Sequence, residues 1–321
     1  MVNETVRRTR NFVNALVSII FLLYVTLLVD LNDFLQFISS IKGLFLFSIF
    51  TSVLIILILR TLRWSLLIRC KFNFSMLLLF YYSFQSQFIN SWMPNGSGDV
   101  IKVVLLKSRS QAQLPELITL TMVDRLLDVF TIAFGGILAL FLLDVFPMDI
   151  FWILGFLCFL ITFCFFLLLI LLKIPNKIIS RYPKLYNQFQ IITNHRKEIT
   201  LGLLITIVAW FVEAIKLFII FNGLEISVDL YISLQIALGA WVGSLLLILI
   251  SGTLGTKEFF MSYLLQERGF NQSISSLASF LDRIFTVMIS FLPFAFFTIL
   301  NLLGIINEEN SIMNPGNDSI E

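Results

Sequence analysis

The stretch NSWMPNGSGDVIKVVLLKS, Asn90 to Ser108, decides how the chain is arranged. A long apolar run ends at Trp92, and the segment Pro94–Asp99 then combines a proline, two glycines and an acid. A second apolar run starts at Val100 but stops at Lys107, whereas a membrane-spanning helix needs about 20 residues. Proline ends a helix and glycine frees the backbone. The stretch therefore predicts a span that breaks partway and carries a carboxylate at the break.

The composition places the chain in a membrane. Hydrophobic residues make up 58% and charged residues 13% of the sequence, whereas soluble domains carry about 25% charged residues. The longest polar connection, residues 173–200, is too short for a globular catalytic domain. We therefore expect an all-α integral membrane protein.

The sequence offers no residues for a metal ion or another cofactor. His195 is the only histidine, which excludes a multi-histidine site. Cys70, Cys158 and Cys164 lie in or beside apolar segments at no metal-ligand spacing, so we interpret them as small buried hydrophobes. The net charge of +2 gives no indication of nucleic-acid binding. We expect no cofactor.

Apolar runs long enough to span a bilayer recur along the chain. They lie at 12–29, 43–59, 73–93, 113–143, 151–172, 201–221, 230–250 and 274–304. The first run is longer than the apolar region of a signal peptide and lacks a small-residue cleavage site, so we interpret it as an uncleaved span.

Lysine and arginine in short loops predict the orientation. Arg7, Arg8 and Arg10 place the N-terminus inside, and the acidic loop 30–42 fits outside. The basic segment 60–71 predicts a cytoplasmic turn. Within it, Arg60, Arg63 and Trp64 read as a topology anchor and aromatic belt. The basic loop 173–197 predicts another cytoplasmic turn.

These anchors decide how residues 73–106 are placed. If 73–93 crossed fully, the later loop 173–197 would end up outside, against the positive-inside rule. If the chain instead enters from the cytoplasm, breaks at Pro94–Asp99 and returns through 100–106, then Lys107 and that loop both lie inside. Broken backbone is tolerated at membrane depth only where protein or a wet cavity surrounds it. The charges therefore favour a re-entrant hairpin.

A second copy of this pattern occurs half a chain later. TMVDRLLDVFTIAF (Thr121–Phe134) resembles SFLDRIFTVMISFL (Ser279–Leu292), and their arginines are 158 positions apart. Each copy follows a glycine loop that ends in an acid, Asp99 or Glu258. The residues predicted to form these loops are Pro94, Gly96, Gly98, Gly252 and Gly255.

The charge pattern makes the second copy an upside-down repeat of the first. We predict two repeats, 1–150 and 151–321, each with about three spanning helices and one re-entrant hairpin. Such inverted repeats with broken helices are a recurring plan of secondary transporters.

The charged residues inside these segments are the candidate site. An unpaired Asp, Lys or Arg at a helix centre costs about 2.5–3.5 kcal/mol, so these residues should face one another or water. They either tie each hairpin to the next helix, or line a polar cavity that contacts a headgroup; the two roles are compatible. The predicted substrate-binding residues are Asp99, Lys102, Asp124, Arg125, Asp128, Lys257, Glu258, Asp282 and Arg283.

The charged residues form three local arrangements. Asp124 and Asp128 share a helix face, and Arg125 can reach Asp128. Glu213 and Lys216, three positions apart and outside the nine, should pair with each other or with the second hairpin, and a contact with the substrate is the alternative. Lys102 and Lys257 could hold phosphate, although Lys102 could equally extend to the cytoplasmic surface.

These motifs resemble those of the lysylphosphatidylglycerol synthase transmembrane region, a flippase-like domain. The matching segments, in order, are LRTLRW (59–64), MPNGSGDVIK (93–102), VDRLLD (123–128), GTLGTKE (252–258) and LDR (281–283). The sequence departs from the family pattern in having Lys102 where arginine is usual, and in lacking Pro-Gly-Gly and Arg-Glu in the second loop. Lysine keeps the positive charge but cannot form the bidentate hydrogen bonds of an arginine side chain.

The resemblance implies a lipid flippase that lacks the soluble aminoacyl-transferase domain. We expect it to move a phospholipid or lipid-linked precursor between the leaflets of the plasma membrane, with both termini cytoplasmic. One alternative is a membrane partner or regulator of a cell-envelope enzyme. Another is a membrane-embedded lipid transferase, but the sequence has no Gly-x-Ser-x-Gly elbow and no embedded histidine. We therefore do not expect an enzyme.

Overall fold

A computed structural model describes residues 27–92, 97–108, 110, 112–143, 195–251 and 255–305. Within these ranges the regular structure is helical, and no strand occurs. The helices are α1 (Leu31–Ser40), α2 (Gly43–Arg69), α3 (Met76–Trp92), α4 (Ser97–Ser108), α5 (Leu114–Leu143), α6 (Arg196–Gly223), α7 (Leu230–Ser251), α8 (Thr256–Glu267) and α9 (Gln272–Leu302). The predicted spans 12–29 and 151–172, and most of the basic loop 173–197, lie outside the described residues.

The helices confirm the all-α prediction, with one correction at α2. The segment 60–69, which the charge pattern predicted to be part of a cytoplasmic turn, forms the last turns of α2 instead. The helix continues because its arginine at position 63 finds carboxylates inside the protein rather than at a membrane surface. In addition, the predicted outer loop 30–42 contains the short helix α1.

In the described part of the chain, three helices, α2, α6 and α9, are long and apolar enough to cross a membrane. At the centre, α2 and α6 pack against each other along much of their length. At one end of this pair, Gly223 of α6 approaches the ring of Phe45 so closely that no Cβ would fit. At the other end, Gly202 lies beside Arg63. The two helices are therefore antiparallel, and the start of α2 lies at the end of α6.

Two helix pairs, each with one short helix of 12 residues, flank this centre. In the first pair, α3 and α4 are joined by only four residues, 93–96, and pack against each other. A Cβ on Gly98 would collide with the carbonyl group of Ser86, so glycine is required where the two helices meet. The Gly98 N–H also donates to Asn90 Oδ1 at 2.9 Å. At 1.5 Å per residue, the 12 residues of α4 extend about 18 Å, less than the hydrocarbon core of about 30 Å.

The second pair, α7 and α8, has the same design. Gly255 precedes α8 with φ of 81°, a left-handed conformation that side chains disfavour. The helix α8 also has 12 residues. Gly255 therefore lies between α7 and α8, where a loop was predicted, whereas Gly98, also predicted to form a loop, lies in the first turn of α4. Pro94, Gly96 and Gly252 lie outside the described residues.

The two pairs begin and end at opposite ends of α2. Just beyond the end of α2, Lys71 Nζ lies 2.6 Å from Glu116 Oε1 in the first turn of α5, so α3 and α4 leave and return on this side. Near the start of α2, Ser273 Oγ of α9 donates to Asp33 Oδ2 of α1 at 2.7 Å. Since α6 also ends there, α7 and α8 leave and return on the other side.

The packing between the halves is reciprocal. The long helix after the first pair, α5, packs against α7, and the long helix after the second pair, α9, packs against α3. In the second of these contacts, Phe88 of α3 stacks on Phe294 of α9 with ring centres 4.7 Å apart. This reciprocal packing brings the polar faces of the two helix pairs, α3–α4 and α7–α8, together in the middle of the molecule.

Candidate functional site: a charged central cavity

A cavity of about 560 Å³ lies between the two halves. All nine substrate-binding residues predicted from the sequence line it. Among the described residues, seven basic and six acidic side chains contribute to its wall, namely Arg60, Arg63, Lys102, Arg125, Lys216, Lys257 and Arg283, with Asp99, Asp124, Asp128, Glu213, Glu258 and Asp282.

Twelve of these side chains form ion pairs that fall into two clusters. The first charge cluster is a network of Arg63, Asp99, Lys102, Asp124, Arg125 and Asp128. The second charge cluster comprises a network of Glu213, Lys216, Lys257 and Asp282 and, beside it, the pair of Glu258 and Arg283. Each cluster contains three bases and three acids, so each is electrically neutral.

Arg63 is the centre of the first charge cluster. Its Nε lies 2.6 Å from Asp124 Oδ1, while Nη1 and Nη2 donate to the two oxygens of Asp128 at 2.6 and 2.8 Å. Nη1 also donates to Thr206 Oγ1 of α6 at 2.9 Å. The Arg63 residue is only 2% exposed. This guanidinium therefore joins α2, α5 and α6 through a buried, bidentate network.

The remaining members of the first cluster join α4 to α5. Lys102 Nζ lies 2.8 Å from Asp99 Oδ1 and 3.5 Å from Asp124 Oδ2, and it sits 4.9 Å from the centre of the Trp64 ring. Arg125 forms an ion pair with Asp99, while half of its side chain stays accessible. Lys102 is only 4% exposed, so it stays inside the protein and does not extend to the surface.

The second charge cluster joins α6, α8 and α9. Asp282 binds two lysines at 2.7 Å each, Lys216 through Oδ1 and Lys257 through Oδ2. Both lysines also reach Glu213 Oε1, at 2.9 and 3.1 Å. The predicted pairing of Glu213 with Lys216 and with the second hairpin is therefore confirmed on both counts. Lys257 lies 5.4 Å from the centre of the Trp241 ring.

One ion pair of the second cluster also contacts the first half. Arg283 Nε lies 2.7 Å from Glu258 Oε1, and its Nη1 donates to the backbone carbonyl group of Ser91 at 3.2 Å. Ser91 is close to the end of α3, beside the tip of the first helix pair. Arg283 therefore connects the acid of one half to the hairpin of the other.

The two clusters share two kinds of contact. In each, the acid of the short helix binds the arginine of the Asp-Arg motif, Asp99 to Arg125 and Glu258 to Arg283. In each, a lysine of the short helix binds the neighbouring aspartate and lies over a tryptophan. The lysines reach these places from different positions, since Lys102 is three residues after its acid whereas Lys257 is one residue before.

Sequence reasoning missed part of this site. The interpretation of Arg63 and Trp64 as a topology anchor and an aromatic belt is wrong, because both are buried and contact the clusters. Arg60 also lines the cavity rather than a membrane surface. The available signal was the spacing of Asp124 and Asp128, whose two carboxylates on one helix face need a buried cation.

The clusters offer nothing to a metal ion. Among the described residues, no group of three or more His, Cys, Asp or Glu side chains is arranged to hold one. The six acids of the cavity are instead engaged with bases. Such ion pairs can exchange partners. A carboxylate or a cation of the cavity could release its partner in the protein and bind a charged group of a ligand instead.

Comparison with known proteins assigns a family. The family model described as "Lysylphosphatidylglycerol synthase TM region" matches residues 11–293. No curated protein and no solved structure matches the chain.

Proposed function

Because the chain belongs to the lysylphosphatidylglycerol synthase transmembrane-region family, a family of multi-pass membrane proteins, we propose that it moves a lipid between the leaflets of the plasma membrane. The observation that carries this proposal is the charged cavity between the two halves. Transfer of a polar headgroup through the hydrocarbon core of a membrane has a high free-energy cost. A cavity whose walls are ion pairs replaces water around the headgroup, while the acyl chains remain in the bilayer.

The proposed transporter is an inverted repeat, 1–150 and 151–321, with α3–α4 and α7–α8 as re-entrant hairpins. Three observations support this arrangement. The hairpins leave and return at opposite ends of α2. The halves pack reciprocally, α5 on α7 and α9 on α3. In both charge clusters, the acid of the short helix binds the arginine of the Asp-Arg motif. In such transporters the binding site lies at the interface of the repeats near the bilayer midplane.

We propose that transfer occurs by one half rocking against the other around the cavity. The Asp99–Arg125 and Glu258–Arg283 pairs are the moving contacts, since each joins a hairpin to the long helix that follows it. When a pair opens, its arginine becomes available to a phosphate and its carboxylate to a cationic group. No nucleotide is required by this scheme, so transport follows an ion gradient, removal of the lipid on one side, or the lipid gradient itself.

Purified protein in liposomes tests the function. Trace fluorescent phospholipids or prenyl-phosphate lipids report transfer when a membrane-impermeant reductant bleaches the outer leaflet. We expect the wild-type protein to expose inner-leaflet lipid faster than empty liposomes do. If no tested lipid crosses faster, transport of those lipids is excluded, and the alternative of a membrane partner of an envelope enzyme gains support. Appearance of a chemically altered lipid would instead indicate a transferase.

Cysteine labelling tests the proposed orientation. Lys107, at the end of α4, and Lys42, before α2, are both exposed. We expect Lys107→Cys to be reached by an impermeant maleimide only from the cytoplasmic side, and Lys42→Cys only from the outside. Variants lacking Cys158 and Cys164 serve as the background. Burial raises the pKa of the remaining Cys70 thiol to about 11, so little of the reactive thiolate is present at neutral pH.

The two labelling sites control each other. Both sides of the membrane are sampled in the same vesicle preparation, with detergent-permeabilised vesicles as the measure of complete labelling. External labelling at both positions would rule out the re-entrant hairpin, whereas labelling of position 42 only from the cytoplasmic side would overturn the proposed orientation of α2.

A further inference from the structure

Arg60 is the one cavity cation of the described residues that belongs to neither charge cluster. The six other bases lie within ion-pair distance of cavity acids, whereas Arg60 has no such partner within the described parts of the chain. Its side chain is half-buried in the cavity wall. Since both clusters are neutral, the described residues of the cavity wall carry one positive charge more than negative charges.

Arg60 lies between the clusters rather than beside one of them. It is close enough to interact electrostatically with Asp128 of the first cluster and with Glu213 of the second. Both of these acids are already held by other bases, Arg63 and the two lysines. Arg60 therefore lies in the cavity wall without an ion-pair partner of its own among the described residues, and a half-buried cation gains from an anionic partner.

Other polar atoms of the cavity wall also lack a partner. The Nε1–H of Trp241, the Oε1 of Gln87 and the Oε2 of Glu258 are buried without a hydrogen-bond partner among the described residues. Gln87 is fixed against the helix of Arg60, because its Nε2 donates to Leu57 O at 3.2 Å and to Thr61 Oγ1 at 2.9 Å. On uncharged side chains the cavity thus presents one extra donor and one extra acceptor, and buried polar groups normally have partners.

We propose that the cavity selects lipids whose headgroup carries one net negative charge on a phosphate, and that Arg60 is the residue that binds this phosphate. The guanidinium fork matches two phosphate oxygens. A hydroxyl group of the headgroup is then able to donate to Gln87 Oε1, and a headgroup oxygen to accept from Trp241 Nε1. Binding makes the occupied cavity neutral. A zwitterionic headgroup would leave the excess positive charge uncompensated, so it binds more weakly.

This inference rests on the proposed function for its choice of a lipid, but its test measures binding and not transport. Purified full-length protein in a nonionic detergent is melted with dihexanoyl-phosphatidylglycerol, dihexanoyl-phosphatidylcholine or inorganic phosphate. A ligand that binds the folded state raises the Tm by an amount that grows with the logarithm of 1 + [L]/Kd, where [L] is the free ligand concentration. We expect the phosphatidylglycerol to raise the Tm most, and the zwitterionic lipid to need at least about tenfold higher concentration for the same shift.

Variants of α2 assign the effect to Arg60. Arg60→Gln should require at least about tenfold more phosphatidylglycerol, Arg60→Lys should give an intermediate shift, and the preference over phosphatidylcholine should shrink in both. Arg69→Gln is the matched control, because Arg69 lies on the same helix but is exposed and outside the cavity. It should behave as the wild type does.

Each other outcome overturns the proposal. Equal shifts by the two lipids exclude charge selection, and an unchanged shift in Arg60→Gln excludes this residue as the phosphate ligand. An equal shift by inorganic phosphate makes the site one for a free anion rather than for a lipid. The absence of any shift excludes the site. Failure of the liposome assay with a retained phosphatidylglycerol preference would refute transport alone.

Discussion

Replacing Arg63 by methionine should destabilise the protein by about 3–5 kcal/mol, the cost of removing one partner from a buried ion pair. Methionine keeps most of the volume, but Asp124 loses the Nε contact and Asp128 loses both of its short hydrogen bonds. Lys102 and Arg125 remain near these acids only at 3.5 and 3.9 Å. The free energy of unfolding in mixed micelles, or the Tm in detergent, measures the loss.

Two further variants separate lost charge balance from lost packing. In Arg63→Met with Asp128→Asn, one cation and one anion are removed together, so at least half of the lost stability should return. Lys71→Met breaks the Lys71–Glu116 pair, whose side chains are 33% and 20% exposed, and should cost no more than about 1 kcal/mol. If Arg63→Met costs no more than Lys71→Met, the buried network does not stabilise the fold.

The helices and the candidate site were largely predictable because their signals are local. Apolar runs define helices directly, and the observed α5 and α9 begin and end within two residues of the predicted 113–143 and 274–304. A charge inside such a run is conspicuous on its own. All nine predicted site residues therefore line the cavity, although which of them binds a ligand stays a prediction.

The partners of these charges could not be predicted in the same way. Arg63 contacts Asp124 and Asp128, which are 61 and 65 positions away, and no periodicity within one helix reports such a contact. The positive-inside rule instead predicts that Arg63 lies at the membrane surface, because the rule treats every cation near the end of a span as exposed. The equivalence of Lys102 and Lys257 was hidden as well, since they lie on opposite sides of their acids in sequence.

Neutralising either hairpin acid should slow lipid transfer on the order of 10–100-fold while the protein still folds. Asp99→Asn and Glu258→Gln each keep shape and hydrogen-bonding capacity but remove the charge that holds Arg125 or Arg283. A charge-assisted hydrogen bond contributes about 1.5–3 kcal/mol, so the rate of lipid transfer should fall on the order of 10–100-fold. Initial rates in liposomes measure the effect, and unchanged elution from a sizing column with a similar Tm confirms folding.

The effect of the two variants should be similar because the two pairs occupy equivalent positions of the proposed repeat. In the proposed cycle, each ion pair closes the cavity on one side of the membrane. Loss of one pair therefore destabilises either the inward-facing or the outward-facing state. Glu116→Gln is the matched control, since this acid pairs with Lys71 outside the cavity, and it should transport normally. Normal rates in both hairpin variants would remove these carboxylates from the mechanism. Loss of transport in only one variant would show that the two halves do not contribute equally to transfer, although their charge clusters share two kinds of contact.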